Sequence, residues 1–154
     1  MNVLDYLTKL RSVRDKIQDE TERIIYKNEN EIIRLNTKQI EDSIGSDNRL
    51  LNNKDKSFKG VYTLATQLIN PLKIAGDPYN FTDTGDFFRG FEIEVSADLT
   101  KVLIYSTGTG TGDKADFFKG YDNIFGLTKN NQLKLNYEII LPDLQKFIKA
   151  NLVQ

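Results

Sequence analysis

The segment of residues 85–95 reads Gly85-Asp86-Phe87-Phe88-Arg89-Gly90-Phe91-Glu92-Ile93-Glu94-Val95. Its first half has the order of a short helix: an acid in the first turn, two aromatic anchors, a cation in the last turn and a terminal glycine. Its second half alternates apolar and acidic residues, which is typical of a half-exposed strand with Glu92 and Glu94 on its outward face. Two kinds of element in one stretch favour an α+β fold.

A second strand follows this one after a short turn. Ser96-Ala97-Asp98 has the composition of a turn, and Lys101-Val102-Leu103-Ile104-Tyr105 is a run of strand-forming residues. Together the two runs predict an antiparallel hairpin, and hence a small antiparallel sheet. The continuous apolar run in the second strand indicates that it is the more buried of the two.

The helical half of the segment is repeated thirty residues later as Ala115-Asp116-Phe117-Phe118-Lys119-Gly120-Tyr121. In each copy we expect a helix of one or two turns, ended by Gly90 or Gly120 in the left-handed conformation. The aromatic residue after each glycine would fold back onto the helix as a hydrophobic contact. We interpret both copies mainly as local structure; the alternative is that Phe88 and Arg89 form a partner surface.

Just before the first copy, Asp83-Thr84-Gly85 matches the active-site triplet of aspartic proteases. In those enzymes two such Asp residues share one proton and activate water. This chain has one copy, so a homodimer would be required, and Thr82 precedes the triplet where an apolar strand would be expected. We therefore interpret Asp83, Thr84 and Gly85 as structural caps of the short helix.

The first 44 residues predict one long amphipathic helix, because no Gly or Pro occurs before Gly45. Gly45 would end the helix, which would be about 60 Å long if unbroken. Such a helix exceeds the width of a small domain, so it either packs on another body or bends, near Asn28–Asn30 or Asn36. One apolar stripe runs along it and consists of Val3, Leu7, Leu10, Val13, Ile17, Ile24, Ile25, Ile32 and Leu35.

A second, weaker stripe lies on a different face of the same helix and consists of Tyr26, Ile33, Ile40 and Ile44. A helix that is apolar on two faces is either deeply buried or held between partners. Both interpretations stay open at this point, and the second makes these four residues candidate interface residues.

The rest of the chain divides into three parts of what we expect to be one domain, residues 1–154. Residues 45–60 are polar and predict a loop. Residues 61–127 predict a β-sheet core with short helices, and residues 61–76 are compatible with a strand or a helix. Residues 128–154 predict a C-terminal helix that begins at Thr128 and is kinked or split near Leu141, because Pro142 lies inside it.

The composition excludes several kinds of chemistry. The 154 residues include no His and no Cys, which rules out thiol nucleophiles, Ser-His triads, disulfides and zinc-finger sites. We expect no catalytic residues, no metal site and no cofactor. Charged residues recur from Asp5 onward and no long apolar run occurs, so we expect neither a signal peptide nor a membrane span.

The charges are unevenly distributed along the chain. Residues 46–76 hold 5 basic and 2 acidic side chains, a net charge of +3, whereas residues 77–127 hold 4 and 9, a net charge of −5. The whole chain has a net charge of −1, which argues against a protein whose main task is to bind nucleic-acid phosphates. The segregation is either ordinary surface variation or an acidic patch that faces a basic patch on a neighbouring subunit.

A glycine-rich loop follows the predicted hairpin and reads Gly108-Thr109-Gly110-Thr111-Gly112-Asp113-Lys114. It resembles a phosphate-binding loop in composition, but the Gly-Lys-[Ser/Thr] ending and the dinucleotide glycine spacing are missing. We expect a loop that orders on meeting a partner, with Thr109, Thr111, Asp113 and Lys114 as candidate contacts. Glu92 and Glu94 could likewise act as a carboxylate pair, but they fit better as the exposed face of an edge strand.

Several of these segments carry a family resemblance. The long N-terminal helix, the element Pro78–Phe91 with its Asp-Thr-Gly triplet and the following hairpin together resemble phage tail-completion and head–tail connector proteins. The chain is still more similar to small structural proteins of phages and prophages of gut Bacteroidetes. That likeness rests on Leu35-Asn36-Thr37-Lys38-Gln39, Asp83–Phe91 and Ile124-Phe125-Gly126-Leu127-Thr128. Arg89-Gly90-Phe91 departs from the [Leu]-Arg-x-Ser-[Ile/Val] pattern of the broader class.

The resemblance implies a non-enzymatic virion protein, assembled in the host cytoplasm, that forms a homo-oligomeric ring in the neck or at the tail end. Its partners would be portal, adaptor or tail proteins, with no membrane contact and with DNA contact only inside the tail lumen. The main alternative is an intracellular adaptor or regulatory protein that binds a partner through its N-terminal helix. A third hypothesis is a hydrolytic enzyme that uses Asp83.

Overall fold

The computed structural model describes residues 2–51, 60–82, 85–110 and 118–152. It has the predicted α+β fold, with a long N-terminal helix, a C-terminal helix and one small antiparallel sheet. In the described residues the elements are α1 (Val3–Lys27), α2 (Glu29–Glu41), α3 (Leu64–Ile69), α4 (Asp86–Arg89), β1 (Phe91–Val95), β2 (Val102–Ser106), a 3-10 turn (Thr107–Thr109), α5 (Lys129–Lys134), a π-helical segment (Leu135–Ile140) and α6 (Leu141–Leu152).

The N-terminal helix is divided at Asn28, within one of the two places where a bend was expected. Asn2 and Asp5 form a capping box at the start of α1, and Asn28 ends it with its side-chain amide donating to the Ile24 carbonyl at 2.8 Å. The other expected place is wrong, because Asn36 lies inside α2 without interrupting it. The stretch 1–44 is therefore two successive helices and ends earlier than predicted.

The end of α2 corrects the role predicted for Gly45. The helix ends at Glu41, and the left-handed residue is Ser43, with φ of 62°. The Ile44 N–H donates to the Gln39 carbonyl and the Ser43 N–H to the Ile40 carbonyl, which is a Schellman motif. Gly45 is required for a different reason, which is close packing: a Cβ there would overlap the side chain of Asn123.

One hydrophobic core joins the helices, the hairpin and the segment before α5. Most of its aromatic rings come from the two copies of the repeat, residues 85–91 and 115–121. Phe87 of the first copy stacks on Phe118 of the second, with ring centroids 4.4 Å apart. Leu51, in the segment predicted to be a polar loop, is also completely buried. The buried members are Ile25, Ile32, Leu35, Ile40, Leu51, Tyr79, Phe87, Phe91, Ile93, Ile104, Phe118, Tyr121, Ile124 and Leu127.

The hairpin has the predicted antiparallel pairing, with Phe91 opposite Ser106 and Val95 opposite Val102. The prediction that β2 is the more buried strand is wrong. Each strand buries two residues, Phe91 and Ile93 in β1 and Ile104 and Ser106 in β2, and the other three residues of β2 are exposed. Among the described residues the sheet has only these two strands, so no third strand pairs with the outer edge of β2. The continuous apolar run of β2 therefore did not indicate that the strand is buried on both faces.

The first aromatic copy forms α4, as expected, but its glycines act differently from the prediction. Gly85 is the N-cap residue, with φ of +82°, and Asp83 and Thr84 lie outside the described residues. Gly90 ends α4 with φ of −87°, so it is not left-handed. A Cβ at Gly90 would overlap the backbone of Gly108, so close packing against the turn after β2 is what requires a glycine there.

The second copy is described from Phe118 onward. Phe118 and Tyr121 are buried, and Gly120 lies in the turn between them. Positive φ values among the described glycines occur at residues 60, 76, 85, 110 and 126, so the left-handed prediction for Gly120 is also wrong. Tyr121 folds back onto Phe81, with ring centroids 4.9 Å apart in an edge-to-face arrangement.

Two polar side chains of α2 hold the segment before α5 in place. Asn36, completely buried, donates to the Ile124 carbonyl at 3.1 Å and accepts from the Gly126 N–H at 3.2 Å. Gln39 donates to the Gly126 carbonyl at 2.8 Å and accepts from the Thr128 N–H at 2.8 Å. Two of the segments on which the family resemblance rests, 35–39 and 124–128, therefore pair with each other. We call these four contacts the amide clamp.

The C-terminal helix starts at the predicted cap and is interrupted where expected. The Thr128 hydroxyl accepts from the Asn131 N–H, and α5 follows. The interruption takes the form of the π-helical segment, in which the Leu141 N–H donates to the Asn136 carbonyl five residues back. Pro142 lies in the first turn of α6 and has no N–H to donate, so it cannot continue the regular bonding of the preceding turns.

Helix α6 packs along α1, and the ends of the two helices are joined by an ion pair. The Lys27 Nζ lies 2.7 Å from the Asp143 carboxylate, and this contact, together with Lys146, lowers the pKa of Asp143. In the part of the chain that the structure describes, no element covers the N-terminal third of α1: Val3, Leu4 and Leu7 are exposed, whereas Val13 is buried. None of the described helices has the length and apolar composition needed to cross a membrane.

Candidate functional site

The described residues contain no group of acidic side chains that could hold a metal ion. One open depression lies beside α1 and is lined by Asp19, Glu22, Arg23, Tyr26 and Lys27. Arg23 is engaged by Glu20, which pairs with it through two hydrogen bonds of 2.8 and 2.5 Å. This is an arrangement of ion-paired surface side chains, and the candidate functional sites lie on exposed surfaces.

The second apolar stripe of the N-terminal helix is not one continuous surface. Ile40 is completely buried in the core, which corrects its assignment as an interface residue. Ile33 is partly buried against the same core, and Ile44 pairs with Leu50 in an isolated bridge. Tyr26 is exposed, and its hydroxyl oxygen accepts from the Val95 N–H at 3.4 Å. The stripe mainly attaches α2 to its own domain.

The candidates near the hairpin divide into two groups. Phe88 is half-buried, with its ring centroid 5.4 Å from that of Phe87, so it is mostly part of the core. Arg89 is exposed and forms an ion pair with Asp86 on the same short helix. Glu92 and Glu94 are exposed on the outward face of β1, where they were predicted.

The outward face of the hairpin carries two apolar side chains beside these carboxylates. Tyr105 is opposite Glu92 and Leu103 is opposite Glu94 on β2. The Tyr105 hydroxyl donates to the Glu92 carboxylate at 2.9 Å, and this bond raises the pKa of Tyr105. We call these four residues the hairpin face.

The glycine-rich loop is only partly described. Thr109 ends the 3-10 turn after β2 and is partly buried. Thr111, Asp113 and Lys114 lie outside the described residues. The loop starts next to α4, because the Thr107 N–H donates to the Gly90 carbonyl at 2.8 Å.

One exposed apolar surface was not predicted from the sequence. It consists of α3 and the turns after it, residues 64–74, which we call the apolar lobe. Leu68, Ile69 and Leu72 are 77%, 87% and 90% exposed, and Leu64 and Ile74 are also exposed. A signal was present in the sequence: residues 61–72 contain no charged side chain, which is unusual for a surface segment.

The apolar lobe is a folded loop with a closed base. Thr63 caps α3 by accepting from the Thr66 N–H, and Val61 pairs with Pro78 in an isolated bridge. The Tyr62 backbone bonds to both Asp77 and Gly76, at 2.8 and 2.9 Å. The lobe therefore projects its leucines from a fixed base, in the manner of a compact surface loop.

The turn of the hairpin gives a pH-dependent prediction. Hydrogen bonds from the hydroxyl of Ser96 and from the N–H and hydroxyl of Thr100 lower the pKa of Asp98 from 3.8 to about 2. Folding therefore favours the charged carboxylate, so its stabilisation is present above pH ~4 and is lost as the pH falls towards 2. In urea unfolding, wild type should exceed Asp98→Asn in stability near neutral pH, and the difference should shrink at acid pH. A constant difference would contradict this role.

No protein-family model, no curated protein and no solved structure matches the chain.

Proposed function

We propose that the chain is a non-enzymatic structural subunit of a phage virion that forms a ring in the neck, the head–tail connector or the tail-completion complex. The proposal starts from the resemblance carried by residues 35–39, 83–91 and 124–128. The structural observation that carries it is the apolar lobe. Its partners would be further copies of the chain and portal, adaptor or tail proteins.

The exposure of the lobe favours a protein that works in an assembly. Burying one leucine or isoleucine side chain contributes about 1.5–3 kcal/mol, so Leu68, Ile69 and Leu72 together offer roughly 5 kcal/mol before the cost of association. Monomeric proteins rarely expose a contiguous apolar patch of this kind. The absence of charge from residues 61–72 also suits a surface that becomes buried against protein.

A ring needs two different surfaces on each subunit, because its contacts are head-to-tail. The chain has three exposed surfaces that could serve: the apolar lobe, the uncovered N-terminal part of α1 and the acidic hairpin face. The net charge of −1 is compatible with a protein that encloses DNA without gripping it.

An adaptor or regulatory role is the second candidate, and the uncovered N-terminal part of α1 is what favours it. Val3 and Leu4 are exposed at the end of an otherwise packed helix. An amphipathic helix of this kind can lie in a groove of one partner. This candidate predicts that binding depends on α1 alone and does not involve the apolar lobe.

The test mixes the purified chain with the portal and tail proteins encoded beside it and measures complexes by native mass spectrometry and negative-stain imaging. We expect rings, and we expect the triple variant Leu68→Ser, Ile69→Ser, Leu72→Ser to lose binding while keeping its melting temperature, because these side chains touch little of their own domain. The control is Leu133→Ser with Tyr137→Ser, which removes exposed apolar residues from the C-terminal helix. A strict monomer that binds none of these proteins would overturn the proposal.

A further inference from the structure

The uncovered part of α1 carries a mixed apolar and basic face. Leu4, Leu7, Arg11 and Arg14 are spaced by three, four and three residues, so they lie on one side of the helix. All four are exposed, and Leu4 is 74% exposed. Arg14 contacts Asp15 at 2.7 Å, but both side chains are well exposed, so this pair contributes little and leaves the guanidinium able to bind elsewhere. We call these four residues the helix face.

The hairpin face has the complementary composition. Glu92 and Glu94 lie on β1 and Tyr105 and Leu103 lie opposite them on β2, so carboxylates and apolar side chains occupy neighbouring strands. Leu103 is 51% exposed, and both carboxylates are exposed. Within residues 2–51, 60–82, 85–110 and 118–152, nothing covers the hairpin face or the helix face.

We infer that the helix face of one copy docks on the hairpin face of the next copy. In this contact Leu4 and Leu7 pack on Leu103 and Tyr105, and the two arginines pair with Glu92 and Glu94. A helix lying across the two strands would place its leucine half over β2 and its arginine half over β1. Long arginine side chains reach across the spacing of one strand and bind carboxylates through two donors.

The charges favour a contact between two different faces over a symmetric contact between two identical faces. A pair of helix faces would bring four arginines together with no carboxylate among them, and a pair of hairpin faces would bring four glutamates together with no cation among them. A contact between two different faces is head-to-tail, and repeated contacts of that kind close into a ring when the rotation between copies allows it. The inference rests on the proposed ring and names the surfaces that build it.

Two charge-reversal variants test the contact. The helix variant is Arg11→Glu with Arg14→Glu, and the hairpin variant is Glu92→Lys with Glu94→Lys. Each alone presents like charges on both faces, so we expect each to lose the wild-type oligomer in native mass spectrometry. Mixed together, the two variants present opposite charges at both contacts, so we expect oligomers that contain the two chains in equal numbers.

The matched control is Lys129→Glu with Lys149→Glu, which makes the net charge more negative by the same amount as the helix variant does; the two residues are exposed on α5 and α6 and belong to neither face, so the oligomer should stay intact. Melting curves check that every variant folds. If wild type forms rings that neither reversal disturbs, or if mixing restores nothing, this contact is wrong and the proposed ring stands. If wild type remains a monomer both alone and with portal and tail proteins, the contact and the proposed function both fail.

Discussion

Replacing Phe87 by alanine should destabilise the protein by about 3–5 kcal/mol and lower its melting temperature by roughly 10 °C. Phe87 is almost completely buried and lies at the centre of the aromatic core. Its ring stacks on Phe118, and its centroid lies 5.1 Å from that of Phe91. The substitution would leave a cavity that rings from four different segments cannot fill by small movements.

The adjacent residue provides a matched control, because it has the same side chain in a different environment. Phe88 is half-buried at the edge of the core, so Phe88→Ala should cost clearly less than Phe87→Ala in urea or thermal unfolding. The comparison also tests the alternative that the repeated aromatic segments serve partners. If Phe87→Ala melted like wild type and abolished assembly, the segments would be interaction sites and the packing described above would be wrong.

Asn36→Ala should destabilise the protein by about 2–4 kcal/mol, which is large for a side chain that makes two hydrogen bonds to the described residues. The reason is burial: the substitution leaves the Ile124 carbonyl and the Gly126 N–H without their partner in the interior. An unpaired buried polar group costs more than an average hydrogen bond contributes. Urea unfolding followed by circular dichroism measures the loss directly.

Thr37→Ala is the control for the amide clamp, since Thr37 is the next residue on α2 and its hydroxyl donates, among the described residues, to the nearby Arg34 carbonyl at 3.2 Å. It should change the free energy of unfolding little. Gln39→Ala should behave like Asn36→Ala, because Gln39 bonds to Gly126 and Thr128 on the same segment. Equal stabilities of Asn36→Ala and Thr37→Ala would show that the clamp does not hold the segment before α5.

Only some of the candidate surfaces could be predicted from the sequence. Alternation in β1 correctly placed Glu92 and Glu94 on an exposed face, because a strand turns successive side chains to opposite sides. Helical spacing grouped Ile40 with Tyr26, yet Ile40 is buried and Tyr26 is exposed. Periodicity tells which residues share a face, and it does not tell whether a neighbouring element covers that face.

The apolar lobe is the opposite case: its residues have the composition of a core segment, yet they are exposed. Its leucines look like core residues in the sequence, and the undecided choice between strand and helix for residues 61–76 gave no reason to expect them at the surface. Here the helix α3 buries none of its residues. The absence of charged residues from 61–72 was the one feature of the sequence that set this segment apart. That the lobe points away from the core follows from the position of its closed base, which only the structure shows.

The amino-acid order alone determined the features that form among a few neighbouring residues: the α+β class, the cap at Thr128, the hairpin turn and the interruption before Pro142. These features form through contacts between residues close along the chain, so a short window contains their cause. The amide clamp, the stacking of Phe87 on Phe118 and the exposure of the lobe join or separate residues that are distant along the chain. They follow from which surfaces remain in contact after the whole chain has packed, and no local pattern contains that information.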